Sequence, residues 1–398
     1  MKLLSVEDAR ERMLAAAVKM DAEDIPLGAA LGRTLAVDVQ AIRDQPPFAA
    51  SAMDGWAVRS SDGPGRLRIV GESAAGHGFT GVLGHGEAVR IFTGAPVPAG
   101  ADAVVIQEDA TRDGDHVVIP AVSDPRNVRP AGQDFKAAAV LLQAGARLDA
   151  WKLSLAASAG AGTVRVARRP RVVVLSTGEE IVAPGATPGP FQIFNSGTTA
   201  LCALIETWGG EPQALSEVGD DAARTTEAVA DAGGDLIVTI GGASVGDHDL
   251  VKPAMRALGL EMIVESVAVR PGKPTWFGTL ADGRRVVGLP GNPASAMVCA
   301  ELFLRPLLAA MQGGVSAPRL VQSRITTPIS ANGNREHWMR ARLSYAEDGS
   351  ILATPFADQD SALVSVFAGA DALLQRLAGA AAIGIGETVD TLLLDRLA

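Results

Sequence analysis

Past residue 170, three short uninterrupted apolar runs recur: RVVVLS (171–176), DLIVTI (235–240) and RVVGLP (285–290). Each leaves through a glycine- or proline-rich loop, and the stretches TTALCALIETWG, DAARTTEAVADAG and ASAMVCAELFLRPLLAAM between and after them carry helical character. Continuous apolar runs suit strands buried on both faces. Strands alternating with helices specify an open α/β sheet whose ligands lie at the carboxyl strand ends.

Other segments read differently. Ser5 to Met20 predicts an amphipathic helix, with Ser5 and Asp8 as a capping box and Val6, Ala9, Met13, Ala17 and Met20 on one stripe. DQPPF (44–48) breaks regular structure, and the short runs RLRIV, AVRIF, DAVVIQ and HVVIP that follow, parted by turn residues, predict a small β domain. DAWKLSLAASAGA (149–161) returns to helix. After Pro318 come RLVQSRITTPIS, HWMRARLSYA, ILATPF, ALLQRL and TVDTLLL, a pattern for a small C-terminal β barrel or sandwich.

Composition narrows the functional classes. A net charge of −10, with acids and bases interspersed, argues against a nucleic-acid partner, so any anionic ligand must meet a local cluster of cations and N–H groups. Cys202 and Cys299 have neither disulfide nor metal-ligand spacing and read as free thiols in apolar helices. The N-terminus MKLLSVEDARERM is too charged for a signal peptide, and no uncharged apolar stretch reaches membrane-spanning length; a cytoplasmic protein with no membrane partner is expected.

Three loops leave the α/β region at strand ends: STGEEI (176–181), GGASVGDHD (241–249) and GLPGNPASA (288–296). Glycine turns before helices expose backbone N–H groups, as a phosphate requires. The residues offering them are Gly241, Gly242, Ser244 and Gly246 in one loop and Pro290, Gly291, Asn292 and Pro293 in another. Yet Glu179, Glu180, Asp220, Asp247 and Asp249 crowd the same edge. Each acid singly suits a helix N-cap; together they suit a divalent cation, Mg2+, shared with phosphate oxygens. Arg270 and Lys273 flank a Pro-Gly turn and make an anion site, with Ser295 adding a hydroxyl, and Arg340 and Arg342 alternate with Trp338 on one strand face. In the β domain, Asp54 (SAMDGWAV), Thr93 (IFTGAPVP) and Asp134 (NVRPAGQDF) sit in tight loops, where Asx or β-turns are the plain alternative. His77, His85, His116, His248 and His337 show no zinc spacing, and neither a G-x-S-x-G elbow nor a P-loop ending is present.

The motifs SAMDGWAV, TGAPVPAGADAVVIQED, NVRPAGQDF, STGEE, GGASVGDHD, RPGKPTWFG and GLPGNPASA, in this order and along essentially the whole chain, resemble the molybdopterin molybdenumtransferases, the family of MoeA and the gephyrin E domain. The resemblance implies four domains: a discontinuous helical one (1–45 with 140–168), a small β domain (46–139), a molybdopterin-binding open α/β domain (169–317) and a C-terminal β-barrel-like domain (318–398). It implies a homodimer that inserts molybdenum from molybdate into adenylylated molybdopterin and releases AMP. Partners expected on the same ground are a molybdopterin adenylyltransferase and downstream molybdoenzymes.

By resemblance, Asp54, Glu180, Asp220 and Asp249 are catalytic, and Glu180, Asp220 and Asp249 hold the Mg2+. Thr93, Asp134, Asp247 and the glycine-loop residues above bind the substrate; Arg270, Lys273, Ser295, Arg340 and Ser361 bind molybdate. Four positions depart from the family pattern. Asn195 stands for an acid, Gly197 for an Asn and Trp56 for a Tyr. Arg270, too, stands for the commoner Lys. Two other readings stay open, an enzyme that adenylates molybdopterin with ATP and a non-catalytic scaffold or carrier of the same fold.

Overall fold

The computed structural model describes residues 3–122, 127–215, 222–242, 250–315 and 320–395. At its centre Glu211–Leu215, Arg171–Ser176, Leu236–Ile240 and Arg285–Leu289 lie side by side in parallel, and antiparallel Trp276–Thr279 and Glu261–Val264 extend the sheet. The apolar runs are continuous because both faces are covered: Val172 and Val174 enter one core, Val173 and Leu175 the other, and all four are fully buried. Each such side chain contributes roughly 1.5–3 kcal/mol by leaving water.

The first core also holds the N-terminal helix. Val6–Ala15 is capped by Ser5, whose Oγ accepts the Asp8 N–H at 3.0 Å, and its Val6–Ala9–Met13 stripe packs beside Val172 and Val174. The helix stops before Met20, which instead donates its N–H to Met311 O at 2.8 Å. Pro293–Met311 is one continuous 19-residue helical stretch, long and apolar enough to cross a membrane, yet mostly buried as the core helix of this domain. It takes a π turn over Ala300–Leu304, where Arg305 N–H reaches back to Ala300 O, because Pro306 has no N–H to continue the regular ladder.

The small β domain is a six-stranded sheet with its own two apolar clusters, around Trp56 and around Ile91. A further module joins Ala22–Pro26 to Thr163–Ala167 and Val39–Gln40 to Val140–Leu142, with the helix Ala150–Ser158 packed upon them. At the C-terminal end, Glu336–Tyr345, Ile351–Pro355, Leu320–Ile325, Thr388–Leu393 and Ala372–Arg376 pair in that order and close back on the first, forming a five-stranded barrel. Met339, Ala341 and Leu343 fill the barrel, whereas Trp338 turns the other way into the α/β core. Val269–Arg270, from the α/β segment, adds itself in parallel beside Glu336 and His337.

Candidate active site

The carboxyl ends of three adjacent parallel strands converge as expected. Gly241 N–H donates to Leu289 O at 3.2 Å, and Thr177 N–H to Ile240 O at 3.4 Å. Gly241 and Gly242 have φ of +89° and +60°, and a Cβ at Gly241 would lie 3.2 Å from Thr177 O. The nearest atom to a Cβ on Gly291 is the Gly241 Cα, at 3.5 Å. Glycine is therefore what lets the three loops close on one another. Pro290 is buried, and Gly291, Asn292 and Pro293 form the rim before the helix Pro293–Cys299.

Glu180 stands exposed at the end of the first loop, its backbone fixed by Ile193 N–H at 2.7 Å. A Cβ on Gly178 would meet the Glu180 carboxylate at 2.5 Å, so glycine leaves that carboxylate room. One exposed carboxylate beside N–H-rich loops is the donor type Mg2+ takes together with phosphate oxygens. Asp220, Ser244, Gly246, Asp247 and Asp249 lie outside the described residues.

The cationic half of the site lies where the barrel meets this sheet. Asn292 Nδ2 donates to Ser361 Oγ at 2.7 Å and Ala294 N–H to Ser361 O at 3.0 Å, bringing Ser361 to the start of the helix that carries buried Ser295. Arg340 is fully buried; its Nη2 donates to Asp360 O at 2.9 Å, while Nε and Nη1 have no partner. Among the described residues no carboxylate lies within ion-pair distance of it. Burial lowers its pKa, as does the neighbouring Arg270, against the opposite pull of Asp358 and Asp360. A buried, uncompensated guanidinium is costly, and an anion is what would relieve it. Lys273 is exposed on a turn held from behind: Val267 N–H donates to Lys273 O, and Gly272, at φ +119°, packs where a Cβ would lie 2.1 Å from Cys299 Sγ. Cys299 itself is inert, its thiol pushed up to about 12 by burial.

In the β domain, Asp54 Oδ1 accepts both the N–H and the hydroxyl of Thr93, at 2.7 and 2.9 Å. These two bonds, helped by the charge of Arg90, hold Asp54 below the usual carboxylate range. No sequence motif marks Arg90. It lies over the rings of Trp56 and Phe92, donates to Gly55 O at 3.0 Å and to Gln107 at 2.8 Å, and so braces both flanks of the Asp54 turn. Asp134 lines a cleft of about 680 Å3 with Gly94, Arg43 and Arg129.

The three regions of the chain each match a known family: residues 4–160 the MoeA N-terminal region (domain I and II), 173–310 a probable molybdopterin binding domain, and 322–394 the MoeA C-terminal region (domain IV). A molybdopterin molybdenumtransferase from Haemophilus influenzae is 33% identical over 97% of this chain and 98% of its own. One from a Nostoc species is 36% identical over 81% of this chain and 77% of its own. This chain belongs to the molybdopterin molybdenumtransferase family. Two crystal structures of the molybdopterin biosynthesis MoeA protein from Pyrococcus horikoshii agree, with TM-scores of 0.82 and 0.84 at 32% and 26% identity, covering 100% and 99% of this chain and all of theirs.

Against the family pattern, Asn195 caps the helix Ser196–Thr207 by accepting the Thr198 N–H at 3.0 Å, a role an acid would also fill. Gly197 is buried, with Ile240 Cδ1 3.3 Å from where its Cβ would be, so a larger residue would press on the strand beneath the glycine loop.

Proposed function

We propose that this protein is a molybdopterin molybdenumtransferase that inserts molybdenum from molybdate into adenylylated molybdopterin with release of AMP, in molybdenum cofactor biosynthesis. The observation that carries this reading is Arg340, a buried guanidinium with two unpartnered nitrogens whose third holds Asp360 O, while the next residue, Ser361, is tied to the Asn292 loop of the three-loop glycine cradle. Tetrahedral oxyanion and phosphorylated substrate then lie in adjacent halves of one site.

In this reading Arg340, Arg270, Lys273, Ser295 and Ser361 hold molybdate through charge-assisted hydrogen bonds. The loops at Gly241–Gly242 and Pro290–Pro293 hold the substrate phosphates. Both dithiolene sulfurs bond to molybdenum, one molybdate oxygen leaves as water with the two thiol protons, and molybdenum keeps its oxidation state. Water attacks the phosphoanhydride, the phosphorus–oxygen bond to AMP breaks, and Asp54, ionised at neutral pH, accepts the water proton. Glu180, with Asp220 and Asp249, would hold Mg2+, which when bound draws charge from the phosphate oxygens.

We also propose a cytoplasmic homodimer. The small β domain keeps its own apolar clusters, free of α/β residues. A second copy would let Asp54, Thr93 and Asp134 face a glycine cradle. Very exposed Trp151 (84%) and Phe191 (91%) are candidates for surfaces that pairing covers.

The test is AMP release from adenylylated molybdopterin with Mg2+, with and without molybdate. Molybdate-dependent release with formation of active cofactor is expected. Pyrophosphate release from Mg-ATP and molybdopterin without molybdate would favour the adenylating enzyme instead, and binding without turnover would favour a scaffold.

A further inference from the structure

At one level of the barrel, three neighbouring strands place basic or titratable residues in register. Arg270 of Val269–Arg270 lies opposite His337, and Arg376 of Ala372–Arg376 lies opposite His337 on its other side. Cross-strand partners share a face, and all three residues line a cavity of about 710 Å3 at the barrel mouth. This cavity is not the Arg340 pocket. Residues 339, 341 and 343 of the middle strand pack inside the barrel, whereas Trp338 faces the α/β core, and Arg340 shares the parity of Trp338. Arg270, at the strand edge, and Asp360, whose carbonyl accepts from Arg340, border both.

Among the described residues no carboxylate forms an ion pair with this row. Arg376 is 5% exposed; its Nη2 donates to Ala381 O and its Nε has no partner. His337 is 7% exposed and its Nε2 is unpartnered. Among the described residues, neither Arg270 nor Arg376 has a carboxylate within ion-pair distance. Asp358 and Asp360 stand at the cavity rim, and Glu387 acts on Arg376 without pairing to it. Thr327 and Ser330 line the same cavity with hydroxyls. Like charges set side by side on a sheet repel, and a dianion between them turns that repulsion into attraction.

We propose that the barrel mouth is a second oxyanion site, in which a tetrahedral dianion sits between Arg270, His337 and Arg376. It depends on the proposed function only for which oxyanion fills it, molybdate in that reading and sulfate or phosphate otherwise. Burial, with Arg270, Arg340, Arg335 and Arg376 around it, lowers the His337 pKa to about 4. His337 is therefore neutral at neutral pH in the empty site, where the imidazole faces those four arginines and the rim acids Asp358 and Asp360. A bound dianion favours the imidazolium, so binding takes up a proton.

The test is calorimetric titration of the full chain with molybdate, sulfate and phosphate in separate runs. The wild type should show two classes of site. Arg376→Gln should weaken one class roughly ten- to hundredfold, the worth of one charge-assisted hydrogen bond, and spare the other; Arg340→Gln should do the converse. Arg376→Lys should restore part of the loss and carries the test if the glutamine variant does not fold. Titration with molybdate or sulfate, both fully dianionic at neutral pH, in buffers of different ionisation enthalpy should report proton uptake in the wild type and none in His337→Gln. Isotherms unchanged by both Arg376 variants, or loss of all oxyanion binding in folded Arg340→Gln, would overturn the proposal. Arg376-dependent binding in a protein that never inserts molybdenum would instead overturn the function proposed above and leave this site standing.

Discussion

Thr93 and Asp54, far apart in sequence, meet at a single oxygen: the Thr93 N–H and hydroxyl both donate to Asp54 Oδ1. They keep Asp54 ionised to lower pH than an ordinary carboxylate. If Asp54 is the base, activity falls on the acid side only as pH drops through that lowered value. Thr93→Val removes one donor and raises the value, so the acid limb of the kcat/KM profile should move to higher pH, while Thr93→Ser should leave it in place. An unmoved limb in the valine variant would take Asp54 out of the chemistry.

The turn that presents Lys273 leaves no space behind it. In Gly272→Ala the new methyl would collide with Cys299 Sγ at a backbone angle that L residues rarely adopt. Overpacking and strain together should destabilise the protein by at least about 2 kcal/mol, measurable by denaturant titration. A variant as stable as wild type would show that the turn relaxes freely.

Ser361 has two separable ties to the Asn292 loop, one through its carbonyl and one through its hydroxyl. Ser361→Ala keeps the first. The melting temperature should hold, while KM for molybdate should rise roughly ten- to hundredfold, the value of one hydrogen bond to a charged group, about 1.5–3 kcal/mol. An unchanged KM would remove Ser361 from the oxyanion pocket.

Asp235 anchors the base of the α/β sheet. It accepts two hydrogen bonds from Arg168, each at 2.8 Å, and one from Arg171 N–H at 2.7 Å. Burial alone would raise its pKa, but Arg168 and the Arg171 N–H outweigh burial and lower it. A lowered native value gives stability that is fully present above the unfolded carboxylate value, about 4, and lost as pH falls through the native one. Asp235→Asn should therefore cost about 2 kcal/mol at neutral pH, with the gap to wild type closing in acid. A gap that persists at low pH would mean that the loss is steric.

Local signals revealed the α/β strands because each is buried on both faces, and the glycines at 241 and 291 because close loop approach needs them. The barrel strands are legible as short β-rich runs after Pro318. What each element would touch is not. The Val6–Ala9–Met13 stripe is plain in the sequence, but its seat against Val172 and Val174 is a long-range choice. His337 has no metal-ligand spacing and Arg376 ends an ordinary strand; only the register of a closed barrel makes them neighbours. Arg90 escaped for a similar reason, since its partners Trp56, Phe92 and Gln107 come from three segments.

The two-residue strand Val269–Arg270 has a mechanical consequence. It emerges from the α/β layer and is stitched into the barrel, while Trp338, Leu373 and Leu392 of the barrel sink into the same core as the N-terminal helix. The domain boundary that the sequence suggests is thus bridged by a shared core. Barrel, sheet and first helix should therefore melt in a single step, and a chain cut between sheet and barrel would carry an open socket where Trp338 belongs.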